Sequence, residues 1–327
     1  MKTIGVFCGG FSSEFDISMK SASTILANFP PNYLPITIQV TRQGWFAEMN
    51  GLRGIFDLNL AAVKFGESIK TLDGALIYTH GDPGENGKIQ AYLDMFNIPY
   101  INSNALASSL SFDKWYCNQF LKSFDIPVAT SIFLTKGTTL EASKVVDELG
   151  LPVFVKPTNS GSSYGISKVK HQDDLYAALE GAFKEGDTVV IESFLNGTEV
   201  TCGVYRNMQG IQVLPLTEIV SENEYFDFEA KYQGKSQEIT PARISPRDTV
   251  NIQHLSKRIY GLLNLSSIAR IDFMLVGQTP FVIEVNTTPG FSSESIVPKM
   301  LKEAGLSLSD FWQEIFDTEL KSSQTVQ

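Results

Sequence analysis

Four polar residues interrupt two otherwise apolar stretches between positions 269 and 290: Arg270, Asp272, Glu284 and Asn286. Side chains alternate between the two faces of a strand, so Arg270 and Asp272 share one face of a first strand. Glu284 and Asn286 share one face of a second strand in the same way. With a turn over residues 276–280, the hairpin register predicts Asp272 opposite Glu284 and Arg270 opposite Asn286.

Two carboxylates placed opposite each other normally destabilise a sheet, by about 0.2–1 kcal/mol. A hard divalent cation reverses this effect, and carboxylate and amide oxygens without His or Cys suit Mg²⁺ or Mn²⁺ better than Zn²⁺. Asp272, Glu284 and Asn286 therefore predict a metal site. The alternative is that both acids face solvent at a sheet edge. Arg270 either stabilises negative charge on a reacting oxygen or pairs with Asp272 or Glu284.

A second candidate is the glycine and serine loop at residues 160–165, which follows Lys156 at the end of an apolar strand. Successive backbone N–H groups of such a loop can surround an anion, and a lysine at its base neutralises phosphate charge. Neither GxxxxGK[ST] nor GxGxxG occurs in the chain. A plain turn is the alternative. A phosphate-binding loop is favoured because a second buried strand ends at Glu192. This acid can accept a hydrogen bond from an exocyclic amine such as that of adenine. The alternative for Glu192 is a strand-end acid that faces solvent.

The segment from residue 221 to about residue 246 is long for a loop inside a compact domain, and its aromatic residues argue against disorder. Lys231 and Tyr232 are candidates for closing over a ligand and excluding water, and a plain surface loop is the alternative. His80 ends an apolar strand just before the turn GDPGENG. This position is compatible with ligand binding and with a purely structural hydrogen bond.

The elements that must position these residues begin with a strand at residues 3–8, a Gly-Gly turn and a helix over residues 12–28. A second strand at residues 75–78, a glycine-rich turn and another helix repeat the pattern. The repetition predicts a parallel α/β first domain, with Glu14 and His80 meeting at the carboxyl ends of its strands.

The pattern of expected strands and helices divides the chain into three regions. Residues 1–103 are predicted to form the N-terminal α/β substrate-binding domain, and residues 104–192 a small α+β domain that carries the glycine loop. Residues 193–327 follow, with strands at 198–205 and 211–220, a helix near 248–264, and the hairpin.

Composition narrows the function classes. The chain has 327 residues, 43% of them apolar, which suffices for globular cores in about two domains. Its three cysteines lie far apart, so a disulfide framework or a zinc site is not expected. A net charge of −10 argues against a nucleic-acid-binding surface. No signal peptide or membrane span is recognisable, and we expect a cytoplasmic protein.

The motifs GGFSSEFDIS, HGDPGENGKIQ, SFDK, LGLPVFVKPTNSGSSYGISKV, VVIESFLNGTEV, YFDFEAKY, ARIDFML and FVIEVNTTPGFSSESIVP, in this order, resemble the D-alanine:D-alanine ligase family of ATP-grasp enzymes. The resemblance covers nearly the whole chain. It implies an ATP-grasp fold behind an N-terminal α/β domain. It also implies ATP-dependent joining of two D-alanines through an acyl phosphate, releasing ADP and phosphate, for peptidoglycan precursors of the cell wall. The implied cofactors are ATP and two Mg²⁺ ions or Mn²⁺, and a homodimer is implied by resemblance alone.

The resemblance also implies roles for individual residues. In the first-substrate site, Glu14 holds the ammonium group, His80 lies near the carboxylate, and Glu14, Ser162 and Tyr232 form a hydrogen-bonded trio. For ATP, the implied contacts are Lys114, Lys156, Ser162, Ser163, Glu192, Leu195, Glu199 and Lys231. Asp272, Glu284 and Asn286 match the metal ligands, with Glu284 bridging. Arg270 and the Gly290 backbone match the oxyanion site, and Ser295 and Ile296 the second substrate's carboxylate site.

The departures from the family pattern are mild. Ser193-Phe194 stand where Lys-Trp is common, Ile296 where Leu is usual, and Phe15-Asp16 where Arg-Glu is usual. Tyr232 favours D-alanine over D-lactate as second substrate. A ligase for D-serine or D-lactate remains an alternative, as does a non-catalytic ATP-binding protein. No residue is an obvious base for the attacking amine.

Overall fold

The computed structural model describes residues 1–159, 161, 164–221 and 236–322. Its strands are β1 Lys2–Gly9, β2 Tyr33–Thr41, β3 Gly44–Met49, β4 Leu52–Asp57, β5 Ala62–Phe65, β6 Ser68–Thr71, β7 Gly74–Ile77, β8 Tyr100–Ile101, β9 Ser131–Thr135, β10 Val153–Pro157, β11 Ser167–Val169, β12 Thr188–Ser193, β13 Thr198–Asn207, β14 Gly210–Val213, β15 Thr217–Ser221, β16 Ser236–Ile239, β17 Ile268–Val276 and β18 Thr279–Asn286. Its helices are α1 Phe15–Ala27, α2 Lys88–Met95, α3 Ala105–Phe112, α4 Lys114–Lys122, α5 Ala142–Leu149, α6 Leu175–Ala182, α7 Pro246–Leu262, α8 Ile296–Glu303 and α9 Leu308–Ser322.

The first sheet has the order β6-β5-β4-β3-β2-β1-β7-β8. The strands β2, β1, β7 and β8 are parallel, as the repeated strand, glycine turn and helix predicted. The strands β3 to β6 form an antiparallel meander that was not predicted. Asn50 and Gly51 join β3 to β4 with φ values of 50° and 80°, which fits the positive φ that a two-residue hairpin turn requires.

The central sheet has the order β11-β10-β12-β9 and is antiparallel. One face packs Val155 and Ile191 against Val145 of α5 and Leu179 of α6. Because side chains alternate along each strand, Phe154, Lys156 and Glu192 lie on the opposite face. The central sheet therefore has its own core and turns a polar face towards the rest of the molecule.

The third sheet has the order β16-β15-β13-β17-β18, with β14 paired to β13. The strand expected at residues 211–220 is wrong as a single element, because β14 and β15 are separate. Pro215 lies between them and has no N–H to continue a ladder. The helices α3, α4 and α7 pack onto this sheet in a second core.

The first sheet and the C-terminal helices share one core. Trp312 of α9 is fully buried and its ring packs against Tyr78 and Phe291. The Tyr78 hydroxyl donates to the carbonyl of Pro289 at 2.8 Å. This core fixes the carboxyl ends of β1 and β7 against the segment that follows β18. In the described part of the chain, no helix combines the length and apolar character needed to cross a membrane.

Candidate active site

A cavity of about 610 Å³ opens where the first sheet, the β17–β18 hairpin and the start of α8 meet. Many predicted site residues line it: Glu14, His80, Lys114, Arg270, Glu284, Asn286, Gly290, Ser295 and Ile296. Glu14 and His80 come from turns after β1 and β7, so the expected convergence at the carboxyl ends of these strands is confirmed. The cavity therefore brings together residues that are up to 282 positions apart in the chain (296 − 14).

The hairpin register places Asp272 opposite Glu284 and Arg270 opposite Asn286, as predicted. The predicted turn is wrong, since β17 continues to Val276 and β18 begins at Thr279. This shorter turn alone would shift the pairing by one residue. A register shift between Asp272 and Phe273 restores it, which is the effect of one extra residue in a β-bulge.

Asp272 is buried beneath the cavity wall, with 8% of its surface exposed. Its carboxylate accepts two hydrogen bonds from Arg270, at 2.8 Å from Nε and 2.7 Å from Nη2. Thr201 Oγ1 donates at 2.5 Å and Asn286 Nδ2 at 3.2 Å. A buried carboxylate needs such partners to offset its lost hydration. Asp272 therefore does not face solvent, as the alternative would require of it.

Glu284 lies on the cavity side of the hairpin and pairs with Lys114 of α4, with 3.3 Å between Nζ and Oε2. Arg270 Nη2 lies 4.0 Å from the other Glu284 oxygen. Burial, the largest single influence, lowers the pKa of Lys114, but the charge and hydrogen bond of Glu284 together with the charges of Glu192 and Glu14 outweigh it, and the pKa is raised. Lys114 therefore stays protonated, and two acids face two cations at this end of the cavity.

The donor set fits a hard divalent cation. Glu284 presents carboxylate oxygens to the cavity, and Asn286, which donates through Nδ2, keeps its amide oxygen as a further acceptor. Asp272 accepts two hydrogen bonds on each oxygen, so it would bind a metal only in exchange for one of them. Within the described ranges, no three or more His, Cys, Asp or Glu side chains form a metal-binding group. Mg²⁺ is commonly held by one or two carboxylates together with substrate phosphates, so this incomplete set is the kind expected beside a nucleotide.

Glu14 and His80 line the same cavity from the first domain. His80 is 5% exposed, and its Nε2 lies 3.3 Å from the hydroxyl of Ser21 on α1. Burial lowers the pKa of His80, more than the nearby charge of Glu14 raises it, so the imidazole is neutral at neutral pH. Gly161 of the glycine loop lies directly against Glu14, where any larger residue would collide with the carboxylate. The first domain and the glycine loop therefore meet at Glu14.

Glu85 is a cavity residue that sequence reasoning missed. Its carboxylate is 8% exposed and accepts a hydrogen bond from the Gly81 amide at 2.7 Å. Burial, and then the charge of Glu14, raise the pKa of Glu85 to about 8. Its position in the sequence could have indicated a site residue, because Glu85 lies in the glycine-rich turn after a buried strand. Ligand-binding loops of parallel sheets follow the carboxyl ends of such strands.

The segment before α8 forms the remaining wall. The Ser295 hydroxyl accepts a hydrogen bond from the Ser292 amide at 3.0 Å, and Ser295 directly precedes the first turn of the helix. Ile296 is 7% exposed and packs into the shared core. The free N–H groups of a first helical turn favour an anion, so this wall is suited to a carboxylate.

The polar face of the central sheet carries a second charged site. Lys156 Nζ lies 2.7 Å from Glu192 Oε2, and both side chains are about nine-tenths buried. Asn118 Nδ2 lies 3.5 Å from the other Glu192 oxygen. Leu195 follows β12 and Glu199 lies on β13, both partly exposed. These four predicted ATP contacts lie beyond the cavity that the described residues enclose. Ser162, Ser163, Lys231 and Tyr232 lie outside the described residues.

Two antiparallel sheets that present Lys156 and Glu192 on one side and the hairpin acids on the other, beside an N-terminal α/β domain, define the ATP-grasp fold. Two family models match this chain and identify the class of ATP-grasp protein more narrowly. The model described as D-ala D-ala ligase N-terminus matches residues 3–103, and the model described as D-ala D-ala ligase C-terminus matches residues 120–317.

Curated relatives match over nearly their whole length. The D-alanine–D-alanine ligase of Parabacteroides distasonis is 41% identical over 327 residues, covering 99% of both chains. That of Phocaeicola vulgatus is 41% identical over 323 residues, covering 97% of this chain and 99% of the relative. The chain belongs to the D-alanine–D-alanine ligase family, which confirms the family predicted from its motifs.

Solved structures agree in fold. D-alanyl-alanine synthetase A from Vibrio cholerae has a TM-score of 0.87 at 30% identity and covers 98% of both chains. The VanG D-Ala:D-Ser ligase from Enterococcus faecalis has a TM-score of 0.86 at 29% identity, covering 97% of this chain and 98% of the other. The Bacillus anthracis D-alanine–D-alanine ligase complexed with ATP has a TM-score of 0.80 at 29% identity, covering 99% of both chains.

Proposed function

We propose that this chain joins two D-alanines to D-alanyl-D-alanine at the expense of ATP. The observation that carries the proposal is that one cavity is lined both by Glu14 and His80 and by Lys114, Arg270 and Glu284. An amino acid and a transferable phosphate need these two kinds of surroundings, side by side. Full-length membership of the D-alanine–D-alanine ligase family supports the same activity.

The proposed reaction has two steps. A carboxylate oxygen of the first D-alanine attacks the γ-phosphorus of ATP, so that an acyl phosphate forms and ADP leaves. The amine of the second D-alanine then attacks the acyl carbon, and the tetrahedral intermediate expels phosphate while the amine loses a proton. Glu14 binds the first ammonium group, neutral His80 lies near its carboxylate, and Arg270 with the Gly290 amide stabilises the oxyanion. No base is assigned to the amine.

Asp272, Glu284 and Asn286 would hold the two Mg²⁺ ions, or Mn²⁺, that the resemblance to the family implies. Bound there, the metal would neutralise phosphate charge and polarise the transferring group. Asp272 holds Arg270, and Glu284 holds Lys114, at distances suited to charged hydrogen bonds or close ion pairs. The hairpin acids thereby keep both cations at the cavity wall, where phosphate oxygens would meet them.

The nucleotide is proposed to lie along the polar face of the central sheet. Glu192 accepts a hydrogen bond from the adenine amino group, the Leu195 backbone contacts the base, and Glu199 binds the ribose. Lys156 and Lys114 contact phosphates. Ser162, Ser163 and Lys231 as phosphate contacts, and Tyr232 as the partner of Glu14 and Ser162, are proposals from the motifs. The burial of the Lys156–Glu192 pair supports a preformed adenine site.

The second substrate's carboxylate is proposed to bind at Ser295 and Ile296, at the start of α8. D-Serine is the main alternative second substrate, because the structurally similar VanG enzyme is a D-Ala:D-Ser ligase. D-Lactate is a weaker alternative, since the Lys231-Tyr232 motif favours an amine nucleophile in this family. A cytoplasmic location, a homodimer, a role in peptidoglycan synthesis and the three-domain division at residues 103 and 192 complete the proposal.

Phosphate release in the presence of ATP and Mg²⁺ tests the substrate assignment. We expect release with D-alanine as the sole amino acid and, with L-alanine, a rate no higher than without amino acid. D-Serine mixed with D-alanine should not yield a mixed dipeptide as the main product in mass spectra. Equal rates with L-alanine, or a predominant D-alanyl-D-serine product, would contradict the assignment.

A further inference from the structure

Asp113 connects two segments that are distant in the sequence. One carboxylate oxygen, Oδ1, accepts hydrogen bonds from the amides of Trp115 and Tyr116, at 3.1 and 3.0 Å, and so caps the N-terminus of α4. The other oxygen, Oδ2, accepts from Thr158 Oγ1 at 2.8 Å. The capping residue of α4 is therefore bonded to the segment that precedes the glycine loop.

Thr158 is fully buried and is held on two further sides. Its carbonyl accepts from the Lys114 amide at 2.8 Å, which is a second bond between the same two segments. Its hydroxyl lies 2.7 Å from the hydroxyl of Thr188, the first residue of β12. The backbone fixes the Asp113–Thr158 contact within the central sheet, because the Thr158 amide also donates to the Thr188 carbonyl at 3.1 Å. The Thr188 hydroxyl is a further neighbour and is not what holds the contact.

This contact lies between the two lysines proposed to bind phosphate. Lys114 follows Asp113 directly and reaches the hairpin at Glu284, whereas Lys156 is two residues before Thr158 and pairs with Glu192. A polyphosphate that contacts both lysines requires a defined separation between them. Binding groups of this kind need to be held to within about 0.5 Å by their supporting contacts.

We infer that Asp113 and Thr158 are positioning residues that set the separation of Lys114 and Lys156, and through it the affinity for ATP. The inference rests on the proposed function, since it assigns the two lysines to one nucleotide. Asp113 has no role in the reaction itself, and Thr158 acts only through the two segments that it joins.

Isothermal titration with the β,γ-methylene analogue of ATP and Mg²⁺ tests the inference. Thr158→Val removes the hydroxyl that donates to Asp113 and keeps the side-chain shape. Asp113→Ser keeps an oxygen that can cap α4 but is too short to bond Thr158. For both variants we expect the Kd of the analogue to rise about 10- to 100-fold, as for loss of one hydrogen bond to a charged group.

Two matched variants separate positioning from general packing. Thr158→Ser keeps the hydroxyl and should stay within about threefold of the unaltered Kd, and Thr188→Val, which removes a neighbouring hydroxyl, within about twofold. Each Kd is measured well below the melting temperature of its variant. If either Thr158→Val or Asp113→Ser does not fold, the Kd of the other variant tests the inference. The KM for D-alanine should change less than the KM for ATP.

Unaltered analogue affinity in a folded Thr158→Val or Asp113→Ser variant would overturn the inference and leave the proposed function standing. An equal loss of affinity in Thr188→Val would also overturn it, because packing alone would then explain the effect. If the unaltered chain itself does not bind the analogue, the proposed function fails, and the inference fails with it.

Discussion

The two charged sites of the molecule are built differently. At the hairpin, Arg270, Asp272, Glu284 and Asn286 form a cluster in which Asp272 has three side-chain partners and Lys114 joins from α4. On the central sheet, Lys156 and Glu192 form a single buried pair supported by Asn118. When one residue of the cluster is replaced, the remaining charged residues still compensate each other. When one residue of the pair is replaced, the other charge stays buried without a partner of opposite charge. We therefore expect substitutions at the hairpin to affect function more than stability, and substitutions in the pair to affect both.

The largest effect is expected for Glu284→Gln. Turnover should fall about 10³-fold or more, because the carboxylate proposed to contact both metal ions is lost. The melting temperature should change little, since Lys114 is near other acids and Asp272 keeps its partners. Steady-state phosphate release and thermal unfolding measure the two quantities, with Glu303→Gln on exposed α8 surface as control. Normal turnover at saturating Mg²⁺ would show that the hairpin acids are structural.

Lys156→Met should destabilise the protein by about 3 kcal/mol, because Glu192 would stay buried without its cation. The double variant Lys156→Met, Glu192→Leu removes both charges and should regain most of that stability. Neither variant should bind the ATP analogue tightly. Urea unfolding and isothermal titration separate these outcomes. If Lys156→Met alone were as stable as the unaltered chain, the expected difference between the buried pair and the hairpin cluster would be contradicted.

Glu85 gives the cavity a pH dependence. Its pKa is about 8 in the folded protein against an ordinary value of 4.5, so between these values the folded state retains a proton that the unfolded state has lost. The contribution of Glu85 to the free energy of unfolding is therefore fully present at low pH. It decreases as pH rises from 4.5 to about 8, by at most about 1.4 kcal/mol per pH unit. In Glu85→Gln this part of the slope should disappear. Urea unfolding at pH 5 to 8.5 without nucleotide measures it, with exposed Glu48→Gln as control, and an unchanged slope would contradict the assignment.

The smallest effect is expected at the outer edge of the nucleotide face. Lys168 Nζ lies 4.1 Å from the centre of the Phe194 ring, beside the proposed adenine contacts. Lys168→Met should raise the KM for ATP about threefold, through loss of a partly exposed cation–π contact, and leave the KM for D-alanine unchanged. Lys168→Arg should restore the KM for ATP. A larger effect on the KM for D-alanine would place Lys168 outside the nucleotide site.

The hairpin was predictable because its information is local. Alternation of polar and apolar residues fixes which side chains share a face, and this held even though the turn was misplaced, since the bulge compensates for the shorter turn. The meander at residues 44–71 carries an equally local signal in Asn50-Gly51, a pair that is typical of a two-residue hairpin turn. Its strands have several half-exposed apolar residues, among them Phe46 and Ile55, which weakens the alternation.

The pair on the central sheet could not be derived from spacing. Lys156 and Glu192 are 36 positions apart, and their contact depends on the antiparallel register of β10 and β12. The ion pair of Lys114 with Glu284 depends on the packing of α4 against β18, which no periodicity encodes. Family motifs predicted these residues as ligand contacts, but not their partners in the ligand-free protein. Glu85 was missed because burial, which changes its pKa, is a tertiary property.

Transfer of ¹⁸O tests the central claim most directly. D-Alanine labelled with ¹⁸O in its carboxylate is incubated with ATP and Mg²⁺, and the released phosphate is analysed by mass spectrometry. An acyl phosphate requires one carboxylate oxygen of the first D-alanine to leave with the phosphate, so we expect one ¹⁸O in each phosphate and one D-alanyl-D-alanine per ADP. Unlabelled phosphate would show that the carboxylate is not phosphorylated, and would contradict the account of a ligase in which the hairpin acids serve phosphoryl transfer.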